Sequence, residues 1–207
     1  LPAANSRTQR LAATYEFKRK TILDAARRLI DRDGVHALSI RAIAAEAGYS
    51  PGAVYSYFAN REELALELVC QDLGQIGRRL KTAAAAEPPP GSSLPHVRRL
   101  AALAETTLDA LQRQTTLAHF AGLVLDPERH PADADVGRSI TGRILQILAV
   151  LLEAYEDRDE LSQSEKGKQI LIFASLLLGL SILEKSGRMQ LLGFTSRDLI
   201  DYYLEKN

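Results

Sequence analysis

The chain is predicted to be all-α, an N-terminal three-helix helix-turn-helix domain followed by a C-terminal helical bundle. Three observations predict it. Apolar residues recur every three or four positions through most of the chain, the spacing of a buried helical face. No alternating apolar–polar stretch is long enough for a trustworthy strand, and no internal repeat is present. Gly, Pro and small polar residues fall where the periodic stretches start and stop. With 207 residues, 46% of them hydrophobic, the chain can bury a sizeable core in one or two domains.

The elements follow in order. Residues 1–15 read as a flexible basic arm. Lys18 to Ile30 is amphipathic, with Ile22, Ala26, Leu29 and Ile30 as its stripe and Gly34 as a C-terminal cap. Ser39 caps a short helix whose buried stripe is Ile40, Ile43, Ala44 and Ala47, and Gly48 ends it in a left-handed conformation. Ser50 caps the next helix, taken as Pro51–Tyr57, and Pro51 fits its first turn. Val54 and Phe58 anchor that helix, leaving Gly52, Ala53, Tyr55 and Ser56 to face outward. Two short helices joined this way form the unit that enters a DNA major groove. An ordinary αα-hairpin needs the same caps and spacing.

Asn60 with Glu63 opens a long helix running to the alanines at 83–86. The proline-rich stretch 87–93 breaks it. Further helices are expected from Leu94 to about Leu111, Thr115 to Leu125, Val136 to Tyr155, Ser162 to Ser186 and Thr195 to Leu204. Ser162 and Glu165 form a capping-box pair. The chain divides into a head, residues 1–60, and a body, residues 61–207.

Charge narrows the partners. The net charge is zero, with 26 Lys and Arg against 26 Asp and Glu. Residues 1–63 nevertheless carry ten bases against seven acids. A locally basic end on a neutral protein suits a molecule that meets phosphates with one face, although a solvated basic helix end gives the same count. The single cysteine, Cys70, excludes an intrachain disulfide framework and fits a reducing, cytoplasmic location. It reads as a small buried or half-buried thiol. The apolar run Ile170–Leu183 is too short and too interrupted by Ser and Gly to favour a membrane span, so no membrane partner is expected.

Catalysis finds no support. The histidines are His36, His96, His119 and His130, none paired at i, i+4 with a carboxylate in a metal-ligand pattern. Asp126, Glu128, His130, Asp133 and Asp135 cluster in one stretch, which an acidic, Pro-bracketed solvent loop explains more simply than a cation site. Cys70 and the serines have no recognisable base partner, and no Gly-rich phosphate loop lies between a strand and a helix. No enzyme activity, metal or cofactor is expected.

Taken in order, Ile22-Leu23-Asp24-Ala25-Ala26, Gly34, Leu38-Ser39-Ile40-Arg41-Ala42-Ile43-Ala44, Ala47-Gly48-Tyr49-Ser50, Gly52, Tyr55, Tyr57-Phe58 and Arg61-Glu62-Glu63-Leu64 resemble the N-terminal domain of the TetR/AcrR transcriptional regulators. The resemblance covers about positions 18–68; the remainder resembles the family only in length and helical character. It implies a homodimeric DNA-binding regulator, most simply a repressor released from a palindromic double-stranded operator by a small-molecule effector. DNA contacts carried over by matching position are Ser39, Ile40, Arg41, Ser50, Pro51, Gly52, Ala53, Tyr55, Ser56, Tyr57 and Arg61. Tyr55, Tyr57 and Arg61 match phosphate-contacting positions, and Arg41 matches one that can reach a base.

The family's effector pocket lies inside the body, and His119, Phe120, Leu123, Tyr155, Phe173 and Met189 are candidates to line it. The family's dimer contact uses the last two helices, here represented by Ser175, Gly179, Leu183, Leu199 and Tyr203. Two other readings stay open: a helical protein–protein adaptor, and a family member that binds DNA without small-molecule control.

Overall fold

A computed structural model describes residues 3–87, 94–114, 116–117, 119–120, 135–155, 158 and 160–206, with side chains from Arg7 onward. Among the described residues there are helices and no strand. The order is α1 (Ala3–Asp33), a 3₁₀ turn (Val35–Ala37), α2 (Ile40–Ala47), α3 (Pro51–Tyr55), α4 (Arg61–Ala85), α5 (Pro95–Arg113), α6 (Asp135–Glu153), α7 (Gln163–Lys185), α8 (Arg188–Leu192) and α9 (Ser196–Lys206).

The boundaries have local chemical causes. Gly34 takes φ 78° and its N–H donates to Ile30 O at 2.9 Å, closing α1. Gly48 takes φ 72° and closes α2, a conformation costly for any residue with a Cβ. Ser39 Oγ accepts the Ala42 N–H at 3.2 Å, and Ser50 Oγ accepts the Ala53 N–H at 3.2 Å. Asn60 Oδ1 accepts the Glu63 N–H at 2.8 Å, while the Glu63 carboxylate accepts the Ala59 N–H at 2.6 Å. Ser162 and Glu165 complete the reciprocal capping box at the start of α7.

Packing makes two cores. The first gathers Ile22, Leu29, Ile30, Leu38, Ile43, Val54 and Phe58 of the head around Leu64, Leu68 and Leu73 of α4, with Phe120 and Ile140 beside them. The second gathers Ile76 and Leu80 of α4 with Leu103, Leu151, Tyr155, Phe173, Leu177 and Ile200. Helix α4 therefore belongs to both, its first half closing the head and its second half entering the body.

Several expectations need adjusting. Residues 3–15, read as a flexible arm, form the first turns of α1. Helix α3 ends at Tyr55, with Ser56 as its C-cap, two residues sooner than expected. Helix α8 was not anticipated: five residues between Gly187 (φ 70°) and Gly193 (φ 73°) are too few to show a period. The proline run at 88–93, Leu123 and the acidic stretch 126–134 lie outside the described residues.

Helix α7 is apolar on most sides, and the fold uses only one of them. Ile170, Phe173, Leu177 and Leu180 are buried in the second core. On the opposite face Leu171, Ser175, Leu178 and Ile182, spaced by four, three and four residues, are exposed. By length and composition this helix is long and apolar enough to cross a bilayer, which its central run alone did not suggest. The buried side is a bundle face packed on protein.

Candidate nucleic-acid interface

The head presents the two short helices on a rigid support. Val54 is fully buried and Phe58 is 1% exposed, so α3 is pinned by the side chains that point inward. Gly52, Tyr55 and Ser56 face out, and Ala53 is half-buried between the two faces. Tyr55 is 56% exposed, which leaves its ring and hydroxyl free to meet a partner. Ser39, Arg41, Ser50, Pro51 and Arg61 are exposed alongside. Ile40 and Tyr57 differ, because both are partly buried against the first core. The Tyr57 ring also lies 4.9 Å from that of Tyr15, tying α1 to the end of the motif. The Ser56 hydroxyl donates to Gly52 O at 3.3 Å, so the residue also serves its own helix.

Electrostatics separates structural bases from available ones. Arg28 donates to Glu46 at 2.9 Å, and Arg32 reaches the same carboxylate at 3.0 Å while also pairing with Asp33. These bonds clip α1 to α2 and hold the Glu46 carboxyl below its ordinary range, the Arg28 hydrogen bond being the largest cause and the Arg32 bond the next. Arg41, in the first turn of α2, and Arg61, at the start of α4, are exposed and make no ion pair among the described residues. Exposed Arg41, Arg61 and Tyr55, together with the serine-capped helix starts, are groups that can donate hydrogen bonds to a phosphate backbone.

A pH test follows from the Glu46 clip. Its folded pKa is depressed, so its contribution is present above the ordinary carboxylate range and is lost as pH falls through it. Glu46→Gln should therefore narrow the stability gap between neutral and acid pH, read by thermal melts from pH 7 to pH 3. An acid limb identical to wild type would remove Glu46 from that role.

Head and body are joined by a buried carboxylate that sequence reasoning missed. Asp72 of α4 is fully buried, and Arg27 of α1 pairs with it at 2.7 Å. The Gln114 carboxamide, its nitrogen turned inward, donates to Asp72 Oδ1 at 3.0 Å. Lys185 Nζ of α7 donates to Gln114 O at 3.0 Å. Burial pushes the Asp72 carboxyl above its ordinary range, and Arg27 opposes that push. The only sequence signal was a charged residue at a core-facing position of α4.

The pocket candidates separate. Tyr155, Phe173 and Met189 share the second core, and Phe173 stacks on Tyr203 with 5.6 Å between ring centres. Burial pushes the Tyr155 phenol well above its ordinary range, aided by Tyr203. Tyr203 in turn donates to Gln169 Oε1 at 3.1 Å. Phe120 sits instead in the first core, and His119 is exposed, its ring edge-on to His36 at 5.2 Å. Leu123 lies outside the described residues. Cys70 is buried, and burial raises its thiol pKa, so it is a poor nucleophile. Among the described residues no cluster of His, Cys, Asp and Glu could hold a metal ion.

Of the dimer candidates, Ser175 lies on the exposed stripe of α7 and Gly179 at its edge. Leu183, Leu199 and Tyr203 are partly buried against the body core. The stripe also contains Leu171, Leu178 and Ile182, which were visible in the sequence as part of one apolar run but not as an unused face.

Residues 22–68 match the family model described as bacterial regulatory proteins, tetR family. The nicotine-responsive HTH-type transcriptional repressor HdnoR of Paenarthrobacter nicotinovorans is 41% identical over 63 residues, 30% of this chain. That stretch is 32% of the relative's own length. The HTH-type transcriptional regulator BetI of Brucella anthropi is 26% identical over 157 residues, 75% of this chain and 78% of its own. Among solved structures, Thermus thermophilus FadR, a TetR-family transcriptional repressor in complex with lauroyl-CoA, has the same fold, with a TM-score of 0.62. It is 19% identical, with 90% of this chain and 91% of that one covered.

Proposed function

We propose that this chain is a TetR-family transcriptional regulator that binds a near-palindromic operator as a homodimer and releases it when a small, partly apolar effector occupies the body. The observation that carries the reading is the outward face of α3 together with the exposed arginines of α2 and α4. Val54 and Phe58 fix the helix from below, while Tyr55, Ser56, Arg41 and Arg61 remain exposed and the two arginines unpaired among the described residues. Tyr55, Tyr57 and Arg61 act on phosphates and set the register; Arg41 reads a base edge. The short side chains at Gly52, Ala53 and Ser56 offer little direct readout, so DNA shape supplies part of the specificity.

One head makes few base contacts, and two heads about 34–36 Å apart would occupy successive major grooves. The exposed stripe of α7 supports pairing through the body. An effector that prefers a different head spacing would lower operator affinity by linkage. The body's apolar core includes Tyr155, Phe173 and Met189, with Tyr203 packed against it, the kind of side chains that would line the site of such a ligand. HdnoR is described as nicotine-responsive and FadR was solved with lauroyl-CoA; those ligands differ in kind, so neither is assigned here. On this reading the chain acts in the cytoplasm as a binding protein rather than an enzyme.

The test is selection of bound duplexes from a random pool by the purified chain. An enriched near-palindrome supports the reading; no enrichment favours the protein–protein adaptor. On the selected duplex, Arg41→Ala should cost about 1–3 kcal/mol and relax preference at one base pair. Tyr55→Phe should weaken all sequences modestly and alike. Uniform loss across operator variants with Arg41→Ala would rule out its base-reading role.

A further inference from the structure

A cleft of about 530 Å³ opens where α1 of the head meets α4 and α6 of the body, lined by residues that include Arg19, Lys20, Arg78, Arg143, Phe17 and Leu23. Two guanidiniums converge on its floor. A Cβ placed on Gly74 would lie 3.5 Å from Arg143 Cζ and 3.5 Å from an Arg78 terminal nitrogen. The two like charges are therefore no further apart than twice that distance. Neither makes an ion pair among the described residues; Arg143 reaches only neutral partners, Gln146 at 3.5 Å and the Cys70 thiol.

The carboxylates in the cleft are largely engaged elsewhere. Glu67 pairs with Arg19 at 3.1 Å and Asp24 with Lys20 at 2.9 Å, while Glu16 lies near Arg19. Two arginines held together without a carboxylate repel each other, and an oxyanion between them would relieve the repulsion. The cleft is several times larger than one inorganic anion and falls in the size range of small-molecule sites. Phe17, 69% exposed, and Leu23 supply an apolar wall on the α1 side.

We infer that Arg78 and Arg143 form a phosphate-binding subsite for a phosphorylated small molecule at the junction of head and body. The phosphate sits over Gly74 between the guanidiniums, and the organic part lies toward Phe17. Because the walls come from α1, α4 and α6, occupancy fixes the angle between head and body. That consequence rests on the operator-binding reading; the binding itself does not.

Pyrophosphate is the probe, titrated into the purified full chain without DNA at ionic strength matched with KCl. Calorimetry should show saturable binding, and Arg78→Gln or Arg143→Gln should weaken it at least tenfold. Both side chains are exposed, so the variants should keep the wild-type circular dichroism spectrum and melting temperature without ligand. Salt titration of DNA binding by the same variants distinguishes a small anion from a DNA phosphate. An unchanged salt slope is expected. Absent pyrophosphate binding, or binding indifferent to both substitutions, overturns the subsite. A DNA salt slope lower by about one per arginine, with no pyrophosphate binding, assigns the pair to the DNA backbone instead.

Discussion

Arg27→Ala is expected to destabilise the folded chain by about 3–5 kcal/mol near neutral pH, the usual cost of leaving one member of a buried ion pair uncompensated. Asp72 is fully buried, and Arg27 is the cation that touches it, at 2.7 Å. The Gln114 amide remains, but it carries no charge. Lys185 adds a favourable field and Asp31 an unfavourable one. Removing the guanidinium raises the Asp72 pKa further, so the folded state of the variant holds a proton that the unfolded state has released. The deficit must then grow as pH rises above the ordinary carboxylate range and shrink below it.

Urea melts at pH 7 and pH 4 check both statements. Pairing Arg27→Met with Asp72→Leu should recover much of the loss, since an apolar pair carries no stranded charge. A loss under about 1 kcal/mol for Arg27→Ala, alike at both pH values, would mean that the head–body junction does not depend on this pair.

Leu178→Glu should convert the chain to a monomer and weaken operator binding by about 10²–10⁴-fold, the range lost when two linked contacts become independent. Leu178 is 49% exposed in the single chain and sits amid Leu171, Ser175 and Ile182 on the outer face of α7. A glutamate there is a good helix former with access to solvent, so the isolated fold should survive. In a dimer it would bring two carboxylates into an apolar seam. Sedimentation equilibrium and a binding isotherm on the selected duplex provide the readouts. An unaltered dimer mass would move the interface away from this stripe.

Neither of these two sites was as legible in the sequence as the head. The head was almost fully legible, because caps act locally. Ser39, Gly48, Ser50 and Asn60 each bond to groups three or four residues away, and the structure shows all four bonds. The long helices of the body were legible for the same reason, as was the Ser162–Glu165 box. Helix α8 was not, because five residues between two left-handed glycines carry no period.

Long-range pairing was the other blind spot. Nothing in the chain places Asp72 beside Arg27, 45 positions earlier, or Arg143 over Gly74. The even hydrophobicity of α7 gave a related difficulty. Periodicity showed a helix rich in apolar surface, but only the packing distinguishes the face that fills the core from the one left exposed. For the pocket candidates, burial was foreseeable and grouping was not: Tyr155 and Phe173 meet in one core, while Phe120 belongs to another.

The proposed function requires that the exposed face of α2 and α3 meet a phosphate backbone through two copies of the chain. The most direct measurement is the dissociation constant on a selected duplex as a function of KCl concentration, with stoichiometry determined at saturation. Two chains per duplex are expected, with a steep linear fall of log affinity with log salt; Arg61→Ala should lower the slope by about one, while Arg41→Ala should weaken binding through a base edge and leave the slope nearly unchanged. Weak binding that ignores salt and both substitutions would contradict the proposed function and leave the motif as a surface that packs against protein.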